Sequence, residues 1–472
     1  MSKKNAMSML VVLFAASFTA AFNENIINVG LSDVSADLGV STVTANWLVT
    51  GYMIVTAIVV TVVGFLLKRL PLRRIFLLGA GVLVVGSAGA LVAPTFEVLL
   101  AFRLLQAVGT GIFTPTMMNT VLLVAPRDRI GTYMSIGSCC ITFGPAFGPV
   151  ISGLMVTLMG WRGMFVVPLA AMVAIAIAGL VLVRNVGEQT EASLDVVSLV
   201  LSAVGLTAFV YGISEVTTNL MVAAVCMGLG VAVIVAFVVR QLRIESPLMN
   251  LAPMRSRRFS CACLMLAVAM MMTFSMSVLL PLYFEGALGA NALVVGLLVL
   301  VPVLAQAAGA LIGGRVIDSV GDWPLLPVGF ITILVGLIAC VMVSSTLSVI
   351  LVEVGAVICF LGVGLCMSPS QTSGLSALTR EMNPFGVGIM STFIQVAAAI
   401  GPSLFVGVLS SSAAAAASAG ASAQLAEASG FSSALMVAAV IDVAGVVLSL
   451  VYSLVSRKRH AQRRACIARG AK

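Results

Sequence analysis

Charge is what this chain has least of. Only 9% of its 472 residues are Asp, Glu, Lys or Arg, and 61% are hydrophobic, where soluble domains carry roughly 25% charged residues. So little charge cannot cover a water-exposed surface. That excludes a soluble enzyme or binding domain and predicts a multi-spanning membrane protein. The apolar segments do not alternate with a period of two, which excludes a membrane barrel and leaves helices. Also missing are a Walker phosphate loop, an HExxH helix and a serine elbow. No catalytic residue, metal ligand or cofactor site is predicted, and ATP-driven work would need a partner protein. The cysteines fall mostly inside apolar runs, where Cys139, Cys140, Cys261 and Cys263 read as packing residues rather than disulfide or metal partners.

The net charge is +8, yet no basic domain with interleaved aromatics is present, so nucleic acid is not an expected partner. The basic residues sit in short clusters between apolar runs and at Arg457-Lys458-Arg459. Such clusters set topology and contact anionic membrane lipids. Lys3 and Lys4 precede an apolar run in the manner of a signal peptide, but the run continues to Leu31 and is better read as a full first span.

Fourteen spans are predicted, at about 8–30, 45–67, 74–93, 97–122, 130–157, 163–183, 195–215, 219–239, 259–283, 291–313, 325–343, 347–368, 385–409 and 432–456. With the amino terminus in the cytoplasm, all but two of the 25 Lys and Arg fall on the cytoplasmic side. Arg162 falls outside and Arg103 within a span. This bias places both termini in the cytoplasm and the protein in the cytoplasmic membrane. The Ala- and Ser-rich stretch 410–430 is expected outside, as a short surface helix or a flexible loop.

The stretch Glu97–Gly153 organises the rest. Its first span carries Arg103, and its second carries Gly144, Pro145, Gly148 and Pro149. A cation in hydrocarbon costs about 2.5–3.5 kcal/mol if it faces lipid, so it faces a cavity or a partner. Glycines permit close helix approach and prolines bend helices. Arg103 and Gln106 share a helix face; they are expected to organise the cavity and its carboxylates, or else to anchor the bent fifth span. Glu24 lies among Asn23, Asn25 and Asn28, so more than one face of the first span is polar and part of it lines a cavity. A carboxyl group there can exchange a proton or contact a solute, or it can bond structurally to a neighbouring helix. Glu353 and Asp442 also fall inside spans, and Glu285 lies at the outer end of the ninth, as a gate or a rim carboxylate.

These residues resemble the major facilitator superfamily, and within it the fourteen-span drug:proton antiporters. Arg103-Leu-Leu-Gln106-Ala-Val-Gly109 is similar to the family's fourth-helix pattern, with Ala107 at its first glycine. Gly144-Pro145-Ala-Phe-Gly148-Pro149 resembles the fifth-helix antiporter motif, and Phe22–Leu31 the first-helix signature, with Asn23 at its acid and Glu24 beside it. Trp47-Leu-Val-Thr-Gly51-Tyr52 fits the start of the second helix. The gating loop Gly64-Phe-Leu-Leu-Lys68-Arg69-Leu-Pro71-Leu-Arg73-Arg74 has lost its acid to Lys68. Its counterpart, Gly314-Arg315-Val-Ile-Asp318-Ser-Val-Gly321, keeps acid and glycines.

The resemblance implies an all-α fold of two six-helix bundles, at 1–186 and 251–460, with two linker spans in 187–250 and a basic tail at 461–472. It implies a monomeric, non-enzymatic secondary transporter that needs no cofactor. The transporter would export small amphipathic or cationic compounds in exchange for protons, with the proton gradient as its energy source. A dedicated exporter or symporter of a metabolite, peptide or lipid-like molecule is the alternative. A non-transporting sensor or scaffold is another. The charge bias gives a direct test in a variant freed of native cysteines. Single cysteines replacing Ser2 or Ala471 are expected to resist an impermeant thiol reagent in intact cells and to react after lysis.

Overall fold

A computed structural model describes residues 3–186, 195–216, 219–244, 247–290, 292–320 and 325–470. Among these residues there are helices and turns and no strand, as lipid demands: it offers no partner to an unpaired backbone group. The chain opens with α1 (Lys3–Asn25), α2 (Ile27–Asp37) and the short α3 (Thr42–Ala45). Then come α4 (Trp47–Arg69), α5 (Leu72–Leu91), α6 (Phe96–Val124), α7 (Ile130–Met159) and α8 (Val166–Leu182). Next are α9 (Val196–Ser214), α10 (Leu220–Gln241), α11 (Arg257–Gly286) and α12 (Ala292–Val320). The last four are α13 (Leu325–Val343), α14 (Val349–Ser376), α15 (Asn383–Ser418) and α16 (Ala423–Gly470).

Among the described residues thirteen helices are long and apolar enough to span a membrane, and α7, bent by 40° between its Ile130–Gly148 and Val150–Met159 parts, makes the fourteenth if it is one span. Helix starts follow local chemistry. Thr95, Asp195, Asn219 and Ser256 each accept an amide hydrogen from the first turn of α6, α9, α10 and α11 respectively.

One expectation changes, and one that was left open is decided. The first span does not run unbroken to residue 30: α1 stops at Asn25, and α2 begins after Ile26. The stretch 410–430 is mostly helix, because its alanines are strong helix formers that lengthen α15 to Ser418 and let α16 start at Ala423. Gly420, at φ +90°, supplies the left-handed residue that ends one helix before the next.

Contacts group the chain into two compact units. One holds Met1–Pro126, Cys139–Pro253 and Leu378–Ser403; the other holds Arg127–Ser138, Met254–Ala377 and Leu404–Lys472. The division cuts α7 and α15, because the first turns of α7 pack on α12 and those of α15 on α4. In the first unit α9 and α10 are stapled by Asp195, whose carboxylate takes both Nε and Nη2 of Arg240 at 3.0 Å. Trp47 of α4 stacks on Tyr211 of α9 with ring centres 5.7 Å apart.

At the last residue of α2, Asp37 receives the Trp161 indole N–H at 2.9 Å and Arg162 Nη1 at 2.7 Å, while Arg162 Nη2 donates to the Ala93 carbonyl. These donors hold the Asp37 carboxyl below its usual 3.8, the Arg162 bond first and the Trp161 bond second. A lowered carboxyl pKa contributes stability above the ordinary value and loses it as pH falls through the folded one. Thermal unfolding should therefore show Arg162→Ala below wild type at neutral pH. The gap should narrow as pH falls below 3.8, leaving the share of the Ala93 bond; a gap that is constant with pH would rule this linkage out.

Candidate functional site

The site grows from a mismatch between a cation and its surroundings. Arg103, on α6, is fully buried, and a buried guanidinium is tolerated only when its donors are matched. The end of α1 supplies the match. A helix that stops leaves its last carbonyls without amide partners and carries partial negative charge. Arg103 Nη1 donates to the Asn23 carbonyl at 3.0 Å, and Nη2 to the Glu24 carbonyl at 3.3 Å. Nη1 also reaches Gln106 Oε1 at 2.8 Å, one turn along α6. The Tyr52 ring lies 4.2 Å from the guanidinium carbon and covers its face.

A second layer fixes the first. Gln106 Nε2 donates to Ser87 Oγ of α5 at 3.0 Å. Asn23 Nδ2 donates to the Tyr52 hydroxyl at 3.1 Å and to Gln106 Oε1 at 3.3 Å, and the Tyr52 hydroxyl meets Thr110 Oγ1 at 2.5 Å. Four helices, α1, α4, α5 and α6, are thereby tied at one polar centre. Tyr52, Ser87 and Thr110 were not among the predicted site residues. Tyr52 was visible in the second-helix motif, whereas Ser87 and Thr110 carry no signal of their own.

Arg103 is an anchor for the interrupted first helix, not for the bent α7. Its partners are two backbone carbonyls of the α1 end and the Gln106 side-chain oxygen, and it forms no ion pair within 4.0 Å with Glu24 or any other described carboxylate. Asn23 turns fully inward to this cluster, and the neighbouring Glu24 is half-buried. The backbone of Glu24 is held while its carboxylate is left available. Helix α7 closes on the same end of α1. A Cβ on Gly144 would fall 2.6 Å from the Phe22 amide nitrogen, and one on Gly148 would lie 3.6 Å from Asn25 Cβ. The glycines thus bring α7 against the residues that flank Glu24, with Pro145 between them. Phe143 and Phe147, with rings 6.0 Å apart, continue as an apolar pair on the adjoining stripe of α7.

The other predicted residues lie elsewhere. Asp442, on α16, is fully buried, and among the described residues neither of its carboxylate oxygens has a hydrogen-bond partner, nor does either oxygen of the partly buried Glu353 on α14. Both belong to the second unit. Glu285 is exposed at the end of α11. Gly64 approaches the Pro384 carbonyl, and Lys68 lies over the Phe385 ring. Arg69 sits over Phe65, and Arg73 leaves the loop to donate to the Leu180 carbonyl near the end of α8. Asp318 caps the start of α7, beside Gly314. The side chains of Asn28 and Pro149, and Gly321 altogether, lie outside the described residues.

A many-helix membrane protein whose buried charge serves a polar centre rather than a lipid face is a transporter in class. The chain belongs to the major facilitator superfamily: residues 13–402 match the family described as Major Facilitator Superfamily. It is 32% identical over 409 residues to the lincomycin resistance protein LmrB of Bacillus subtilis, covering 85% of each chain. It is 27% identical to the multidrug resistance protein B homolog of Mycobacterium tuberculosis, over 83% of this chain and 74% of that one. The solved human organic anion transporter MFSD10 superposes with a TM-score of 0.66 at 12% identity, over 94% of this chain and 99% of that one. The proton:xylose symporter XylE does so with the same score and identity, over 95% of each. These neighbours carry the fold: an all-α, multi-pass membrane protein of the facilitator type.

Removing the guanidinium takes the side-chain donor from the Asn23 and Glu24 carbonyls, at about 1–3 kcal/mol for each buried group left unsatisfied, and leaves Gln106 Oε1 with Asn23 Nδ2 alone. Arg103→Ala is expected to lower the melting temperature of the purified protein sharply. Arg103→Lys should recover only part, since a point charge cannot bridge two carbonyls and a side-chain amide. An alanine variant that melts with wild type would remove Arg103 from its anchoring role.

Proposed function

We propose that this protein is a proton-coupled exporter of small amphipathic or cationic compounds, working as a monomer in the cytoplasmic membrane with both termini in the cytoplasm. It takes its energy from the proton gradient and uses no cofactor. Relatives named for lincomycin and multidrug resistance support export of foreign compounds as the reading. The observation that carries proton coupling is the division of labour at the end of α1. Arg103 grips the carbonyls of Asn23 and Glu24, while the Glu24 carboxylate is in no ion pair among the described residues.

In this mechanism a proton on Glu24 competes with the solute. Deprotonated, the carboxylate attracts the cationic part of a solute arriving from the cytoplasm, and Phe143 and Phe147 offer it apolar contact. Protonated from the outside, Glu24 loses that attraction and the solute leaves. No covalent step is needed. The protein shifts its population between states that bind proton and solute with different affinity. Export of a single metabolite is the second reading, and a relative named riboflavin transporter RibZ, 23% identical, favours keeping it.

Proteoliposomes test both. Wild-type protein should move lincomycin, or a member of a cationic drug panel, against an imposed proton gradient, and move protons in return. Glu24→Gln should fold and bind but no longer couple the two flows. The double variant Asn23→Asp with Glu24→Gln asks whether an acid about 100° around the helix can replace it. It should fail, because Asn23 is fully buried against Arg103. Proton-for-drug exchange by Glu24→Gln at the wild-type rate and stoichiometry would move coupling to Glu353 or Asp442. Riboflavin transport without drug transport would favour the second reading.

A further inference from the structure

Two helix crossings in this molecule share one register but not one chemistry. Within the second unit, α12 crosses the first turn of α7. A Cβ on Gly314 would fall 2.5 Å from the Gly131 carbonyl, so the backbones nearly touch. Four residues on, Asp318 accepts from the Gly131 amide at 2.8 Å, the Thr132 amide at 2.7 Å and the Thr132 hydroxyl at 2.6 Å. Four residues beyond Gly131, Ser135 Oγ bonds to Ser368 Oγ at 2.7 Å. Within the first unit, α4 crosses the first turn of α15 in the same way. A Cβ on Gly64 would fall 3.0 Å from the Pro384 carbonyl, and one on Gly388 would lie 3.6 Å from the Val60 carbonyl.

The positions correspond one by one. Gly64 stands for Gly314, Lys68 for Asp318, Pro384 for Gly131, Phe385 for Thr132 and Gly388 for Ser135. At the α4–α15 crossing the acid and two of the three donors are gone, and only the Phe385 amide remains of the cap. The acid has become a lysine, the first donor has become a proline with no amide hydrogen, and the hydroxyl has become an aromatic ring. These changes agree with one another. Lys68 Nζ lies 4.4 Å from the centre of the Phe385 ring, and Glu381 supplies the nearby negative charge. A cation at a helix amino terminus meets the positive end of the dipole, and a cation–aromatic contact is weaker than three charge-assisted hydrogen bonds.

We propose that Lys68 is a positioning residue whose cation–aromatic contact makes the α4–α15 crossing the weaker of two latches. On the transport reading above, this crossing parts first in each cycle, while the Asp318-capped crossing holds. Lysine at this position is therefore a matched component of a releasable contact and not a lost acid.

The test uses thiol reactivity, which requires no transport. In a variant without native cysteines, Gly388→Cys and Ser135→Cys place single reporters at the two crossings, both at buried positions. With N-ethylmaleimide on solubilised protein, Gly388→Cys should react about tenfold faster than Ser135→Cys. Adding Lys68→Asp, Pro384→Gly and Phe385→Thr together rebuilds the capped crossing and should slow Gly388→Cys about tenfold, the scale of a helix cap. Adding Asp318→Asn should speed Ser135→Cys by a similar factor and leave Gly388→Cys unchanged. Should the triple change impair folding, Phe385→Leu, which removes only the ring under Lys68, should raise the Gly388→Cys rate further. Equal reactivity at the two reporters, or a Gly388→Cys rate indifferent to these changes, would overturn the proposal. Reactivity as expected in a protein that moves no compound would leave the latch standing and reject the export reading.

Discussion

A guanidinium cut off from water must find acceptors, and most of the amino-terminal architecture depends on how this one does so. Hydrophobic burial gives little drive between helices in lipid, because the lipid is as apolar as a leucine. Specificity must then come from close packing and from polar groups with no alternative partner. Arg103 meets that requirement with the open end of α1. The interruption at Ile26, which would otherwise expose carbonyls in an apolar setting, becomes the feature that the cation binds.

The consequence reaches the carboxylate next door. Had Arg103 paired with the Glu24 side chain, the acid would be locked as one half of an ion pair. Because the bond goes to the backbone, position and reactivity are separated: main chain fixed, side chain available. Asn23 is fully buried in the Arg103 cluster. The acid next to it, Glu24, lies one residue around the helix, on the half-buried face rather than the anchoring one. The helix crossings follow a parallel logic, with one register serving a carboxylate cap in one case and a cation–aromatic contact in the other.

Much of this was legible in the sequence. The span count was readable because each apolar run is about as long as a bilayer is thick and the basic residues fall between runs. That Arg103 and Gln106 act together followed from helical spacing. Their partner was not readable, since Ile26 is neither glycine nor proline and nothing local marks a helix end. The cap made by Asp318 lies 187 residues from the amide it binds, beyond any local pattern. Residues 410–430 left helix and loop both open, because low complexity permits either; the same alanines, with apolar helices on both sides, propagate helix. Lys68 looked like a lost acid until Pro384 and Phe385 were seen opposite it.

The central claim is that Glu24 carries the exchangeable proton of this site while Arg103 only holds its backbone. The most direct measurement is proton release on solute binding, followed with a pH indicator in weakly buffered solution of the purified protein. Near the pH at which Glu24 is partly protonated, wild type should release protons as a cationic solute binds. Glu24→Gln should bind the solute and release none. Release of the same number of protons by Glu24→Gln would contradict the account.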